Sequence, residues 1–134
     1  PGTARTLSHR EAQDLLVSLG QLLGRHAEME FEHYDVVWRE GAHAPRLSHV
    51  FEVQIAGSVD SALTRLKQAY ETQRSQLFLV IGAERDVAFA QKRLAASFHE
   101  IAHAVTVIGV GELQRLAGAL TEQAALLERL LRRG

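Results

Sequence analysis

The chain has no cysteine. That excludes disulfides and thiolate zinc sites. It has no apolar run long enough to cross a bilayer, and its opening residues carry none of the marks of a signal peptide. Internal repeats and low-complexity tracts are missing too. Neither sign of charge dominates: 15 Lys and Arg stand against 16 Asp and Glu, a formal net charge of −1. That balance does not advertise nucleic-acid binding. Nor does it count against an enzyme of nucleic acids, which needs a basic surface only around its cleft and lowers its own net charge with catalytic acids. A cytoplasmic setting is the default expectation, with no membrane partner. What is present is ordinary for one soluble domain with a full core: 134 residues, 46% hydrophobic and 23% charged. Residues 1–7, opening Pro1-Gly2-Thr3-Ala4-Arg5-Thr6, read as a linker or tail and as a point of fusion to another domain. Residues 8–134 read as a single domain.

The pattern of apolar residues predicts alternating helices and strands. Ser8 to Gly24 is a predicted helix, with Ser8 and Glu11 in capping-box spacing and Leu15, Leu16, Leu19, Leu22 and Leu23 as its stripe. His26 to His33 reads as a strand with Ala27, Met29 and Phe31 on one face and Glu28, Glu30 and Glu32 on the other. Tyr34 to Arg39 and Leu47 to Ile55 read as two more strands. Val59 to Arg74 is a helix capped by Ser58. Leu77 to Ile81 has the fully apolar character of a parallel strand. Glu84 to Ala102 reads as mostly helical, Val105 to Val110 as a strand, and Gly111 to Leu131 as a last helix seamed by Leu113, Leu116, Leu120, Leu127 and Leu130. The order αβββαβαβα defines an α/β domain with a mixed sheet flanked by helices, its parallel strands joined by a right-handed crossover.

The strand His49-Val50-Phe51-Glu52-Val53-Gln54-Ile55 carries the chemistry. Alternate residues share a face, so Glu52 and Gln54 project together, away from Phe51, Val53 and Ile55. A carboxylate inside an apolar central strand is costly without a partner or a metal. If this strand pairs with Tyr34–Trp38, Asp35 and Glu52 converge, and converging carboxylates suit Mg²⁺, which prefers oxygen ligands and keeps several waters.

That order and those acids resemble the PD-(D/E)xK nuclease superfamily, the restriction-endonuclease-like fold. The resemblance spans roughly Ser8 to Val110. Asp35 matches the family Asp opening the second strand, and Glu52 the acid of the (D/E)xK element on the third. Glu11 matches the additional acid many members carry on the first helix, with Glu28 as the alternative. Tyr34 stands where the family often has Pro, and Gln54 where it usually has Lys. Gln carries no positive charge, though its amide can still orient a water. The resemblance implies hydrolysis of DNA phosphodiester bonds with Mg²⁺, for which Mn²⁺ would substitute. The metal would lie on Asp35, Glu52 and the backbone carbonyl of Val53, with Glu52 and Gln54 orienting the attacking water. Arg46, Arg65 and Lys67 are candidate phosphate contacts. Lys67 is also a candidate for a migrated ammonium. Homodimerisation is a companion hypothesis, since cutting two strands often takes two active sites.

Two rival readings remain. A catalytically inactive nuclease-like domain that binds DNA or supports assembly is kept alive by Gln54. A zinc metalloprotease is raised by His99-Glu100-Ile101-Ala102-His103, a literal HExxH. That reading needs a helix through this segment and a third ligand downstream, where no His follows and Glu112 or Glu122 would have to serve. His26, His33, His43 and His49 are scattered over loops and strand ends.

Overall fold

The computed structural model describes residues 7–132. Residues 1–6 of the expected linker lie outside the described residues, but Leu7 packs partly buried against the core. The protein is an α/β domain built on a five-stranded mixed sheet in the order β1-β2-β3-β4-β5. Strands β1 (His26–Phe31), β2 (Tyr34–Arg39) and β3 (His49–Gln54) form an antiparallel meander. Strands β4 (Gln76–Ile81) and β5 (Val105–Gly109) continue the sheet in parallel with β3. Parallel neighbours need crossovers, supplied by helix α2 (Val59–Gln73) and helix α3 (Val87–Ser97). Helix α1 (His9–Leu22) and helix α4 (Val110–Glu122) pack on the other face. A fifth helix, α5 (Ala124–Leu131), follows α4.

Each face has its own core. Leu63 and Leu66 of α2 meet Val50, Leu77 and Leu79 of the sheet on one side. Leu16 and Leu19 of α1 meet Val36, Trp38, Phe51 and Val80 on the other. The alternation of β3 divides as its sequence predicts: Phe51 and Val53 go to the α1 side, Val50 to the α2 side. The α1 contact is close at one point. Trp38 Nε1 donates to the Leu16 carbonyl at 3.1 Å, and a Cβ on Gly20 would come 2.6 Å from that same nitrogen.

Three expectations are corrected. Phe31 does not share a face with Ala27 and Met29; it packs with the α2-side core while they pack with the α1-side core. The cause is Glu30, whose φ of 57° is left-handed and interrupts the strand's alternation. The segment 84–102 is not one helix. It is a short 3₁₀ turn at Glu84–Asp86, then α3, then a second 3₁₀ stretch at His99–Ala104. The last helix breaks at Gln123. Of its expected seam only Leu113 is buried, while Leu116 is 49% and Leu130 72% exposed.

Gly20→Ala tests the α1 contact. A helix interior ordinarily gains about 1 kcal/mol from this change. Here overpacking against Trp38 costs about 1–3 kcal/mol, at the upper end because the clash is with a buried indole rather than a flexible side-chain tip. The expected outcome is a net loss of stability of about 1–2 kcal/mol, read as a lower urea midpoint with a shifted Trp38 fluorescence maximum.

Candidate active site

The register of β2 on β3 pairs Val36 with Phe51, Val37 with Val50 and Trp38 with His49. Continued by one step, it brings Asp35 opposite Glu52, and there side chains take over from the backbone ladder. The Asp35 amide donates to Glu52 Oε2 at 3.0 Å. The Val53 amide donates to Asp35 Oδ2 at 2.7 Å. Each carboxylate thus caps a main-chain donor of the opposite strand, and the two acids are fixed together where the strands part. Such charge-assisted bonds are among the stronger ones in proteins.

The surroundings supply further partners. From α2, Arg65 Nε lies 2.5 Å from Glu52 Oε1. From α1, His9 Nε2 lies 3.3 Å from Asp35 Oδ2. One turn further along α1, the buried Gln13 donates through Nε2 both to the Asp35 carbonyl at 3.0 Å and to Glu30 Oε1 at 2.9 Å. Residues four apart on a helix share a face, so His9 and Gln13 reach the site together.

Glu52 is fully buried. Loss of hydration, followed by the Asp35 charge, pushes its carboxyl up to about 7. The Arg65 guanidinium and the Asp35 amide pull in the opposite direction and are outweighed. A carboxyl so placed is half protonated near neutrality.

The other expected site residues are placed differently. Gln54 shares the Glu52 side of β3, but its Nε2 donates to the Ala56 carbonyl in the loop leading to α2. Glu11 Oε1 accepts from the Ser8 amide at 2.9 Å, completing a capping box. Glu28 is on β1, where Arg39 and His26 bind it. Arg65 is engaged with Glu52 itself. Lys67, two residues on and so on another side of α2, lies 2.6 Å from Glu100 and supplies no migrated ammonium here. Arg46 is exposed in the loop before β3, at the opposite end of that strand from Gln54. Val53 contributes its amide to Asp35.

The HEIAH segment lacks the helix its zinc reading requires. In a 3₁₀ stretch of three residues per turn, positions four apart diverge by about a third of a turn. His99 lies 3.6 Å from Glu100, and His103 Nε2 is 3.1 Å from the Tyr70 hydroxyl. Among the described residues, no three His, Asp or Glu side chains are grouped to hold a metal. Also among them, no helix is long and apolar enough to span a membrane. Comparison with protein-family models, curated proteins and solved structures gives no match.

The Glu52 environment sets a pH dependence. Its folded pKa lies above the unfolded value, so the native state holds more protons than the unfolded chain between about pH 4.5 and 7. Stability therefore falls as pH rises through that window. Between roughly pH 5 and 8 the loss from this group is about 3 kcal/mol. Urea denaturation across that range in metal-free buffer should show the decline, and Glu52→Gln should flatten it. An equal slope in both proteins would remove Glu52 as the cause.

Proposed function

We propose that this domain is a metal-dependent nuclease of the restriction-endonuclease-like fold, hydrolysing DNA phosphodiester bonds. The observation that carries the reading is the interlocked pair of Asp35 and Glu52 at the parting of β2 and β3. Support comes from the element order of the first six elements, from α1 to β4 with the crossover helix α2 between the parallel strands, which is the order that the family resemblance implies.

The donors suit a hard divalent cation. They are two carboxylates with more negative charge than Arg65 offsets, one of them fully buried and raised to about 7. Mg²⁺ or Mn²⁺ would be held by Asp35 and Glu52, with water completing its shell. Bound there, the cation would lower the pKa of a water and neutralise charge on the scissile phosphate. The chain's own groups do the rest. The Val53 and Asp35 amides hold the carboxylates in place, and Gln13 fixes the Asp35 backbone. Arg65 balances part of the negative charge beside the reacting phosphate, and His9 offers a ring nitrogen at the rim.

A second reading is favoured by two observations. Arg65 already engages Glu52 Oε1, and Gln54 is turned to Ala56; a domain kept in that state would bind DNA, or serve in assembly, without cutting it.

The two readings part in a plasmid-nicking assay with Mg²⁺ or Mn²⁺. The nuclease reading expects cation-dependent nicking. It should fall by more than about a hundredfold in Asp35→Ala and Glu52→Gln, since loss of a group merely supporting a metal costs 10–100-fold (about). Folded wild-type protein that binds the plasmid without nicking it under either cation would overturn the nuclease reading in favour of the second.

A further inference from the structure

Beyond Gln54, the carboxyl ends of β3 and β4 open into a crevice of about 270 Å³. In open α/β sheets this is the edge where ligands are generally received. Its lining is mixed. Ile55, Val59 and Ile81 supply apolar surface, Gln54 and Asp86 supply polar groups, and Phe89 completes it. Helix α3 buries Ala90 and Leu94 and leaves Phe89 outward, 57% exposed. All eight aromatic residues are described, and each of the others is buried or half-buried. Phe89 is therefore the one aromatic ring that folding leaves in water, and it sits on a crevice.

The polar groups there are poised. Gln54 gives Nε2 to Ala56, which leaves its amide oxygen as an acceptor. Asp86 stands at the N-terminus of α3 yet makes no side-chain cap bond. Gly57 shapes the loop: its φ of 103° strains any side chain, and a Cβ would come 3.1 Å from Gln54 Nε2. Gln54 follows Glu52 by two residues on the same face. The crevice thus begins roughly 7 Å along β3 from the carboxylate pair, within reach of one nucleotide.

We propose that this crevice takes an unpaired base of the DNA, stacked on Phe89 and met at its polar edge by Gln54 and Asp86. A flat apolar face with a rim of donors and acceptors is what an aromatic ring beside a carboxamide and a carboxylate receives. The proposal rests on the nuclease reading of Asp35 and Glu52 and adds a substrate class, namely single-stranded or locally opened DNA. A stacked duplex base cannot enter without leaving its helix.

The test compares a short mixed-sequence deoxyoligonucleotide, the same strand with one abasic position, and the annealed duplex. Binding to wild-type, Phe89→Ala, Phe89→Trp and Asp35→Ala proteins is followed by anisotropy, together with the methyl NMR signals of Ile81 and Val59. The single strand should bind more tightly than the duplex and move both methyl signals. Phe89→Ala should weaken single-strand binding about tenfold, in line with loss of one stacked base, and Phe89→Trp should restore it. Asp35→Ala should keep the binding and lose only cleavage. Phe89 is largely exposed, so an unchanged melting temperature is the control for folding. Single-strand binding indifferent to Phe89, with cation-dependent nicking intact, would overturn this proposal alone. No binding to any of the three DNAs would overturn it together with the nuclease reading.

Discussion

Everything at the candidate site depends on two carboxylates standing in for a stretch of β-ladder. Where β2 and β3 separate, two amides would lose their strand partners, and a buried amide without a partner costs about 1–3 kcal/mol. Asp35 and Glu52 accept those bonds reciprocally. The exchange solves a backbone problem and creates an electrostatic one, because it brings two acids together with one of them wholly out of water. The neighbouring groups read as answers to that problem. Arg65 is delivered to Glu52 by α2, and Gln13 anchors the Asp35 carbonyl from α1. Helices from both faces of the sheet thus converge on one point of it.

The topology puts that point where the sheet changes character. β3 is antiparallel to β2 and parallel to β4, so it is the central strand and carries Glu52 into the α2-side core. The left-handed Glu30 turns the β1–β2 hairpin at the same level. Phe31 and Tyr34 at its tip join the α2-side core, while Met29 and Val36 stay with α1. At this level the β2–β3 ladder stops and the carboxylates occupy the gap.

Much of this was legible in the sequence. The spans of β2, β4 and α2 follow from their periodicity within a residue or two, as does the α1 capping box of Ser8 and Glu11. The convergence of Asp35 and Glu52 follows once alternation and pairing are combined. Other features carried no local signal. Glu30 adopts a conformation that glycine usually announces. The breaks at Phe98 and Gln123 occur with no proline or glycine at the break, in segments rich in helix formers. HEIAH therefore read as helix on pattern alone, whereas its turns are tightened to enter β5. Glu11 matches a family acid by type, and its carboxylate closes the capping box on the Ser8 amide. His9 and Gln13 of the same helix meet Asp35. Their signal was present in the four-residue spacing of two polar groups bordering the buried Ala12 and Leu16. The charge of Arg65 marks it as a candidate in the sequence, but its partner Glu52 is set by the way α2 lies across β3.

The departure at Gln54 takes a different meaning in this setting. Two carboxylates beside one guanidinium leave a formal negative charge in a dehydrated place. A lysine at position 54 would add a positive charge and reduce that excess. With glutamine there, the excess persists beside a carboxyl that burial first, and the Asp35 charge second, raise to about 7. Proton and divalent cation then become alternatives for the same negative charge, since a cation within a few ångströms favours the ionised carboxylate that burial disfavours. Arg65 is a third competitor, tethered by α2 and unable to dissociate. In the nuclease reading, glutamine therefore need not imply a failed lysine. It leaves the carboxylates under-compensated, so that an entering cation meets charge rather than neutrality, and it frees the side chain at position 54 to face the crevice next to the pair.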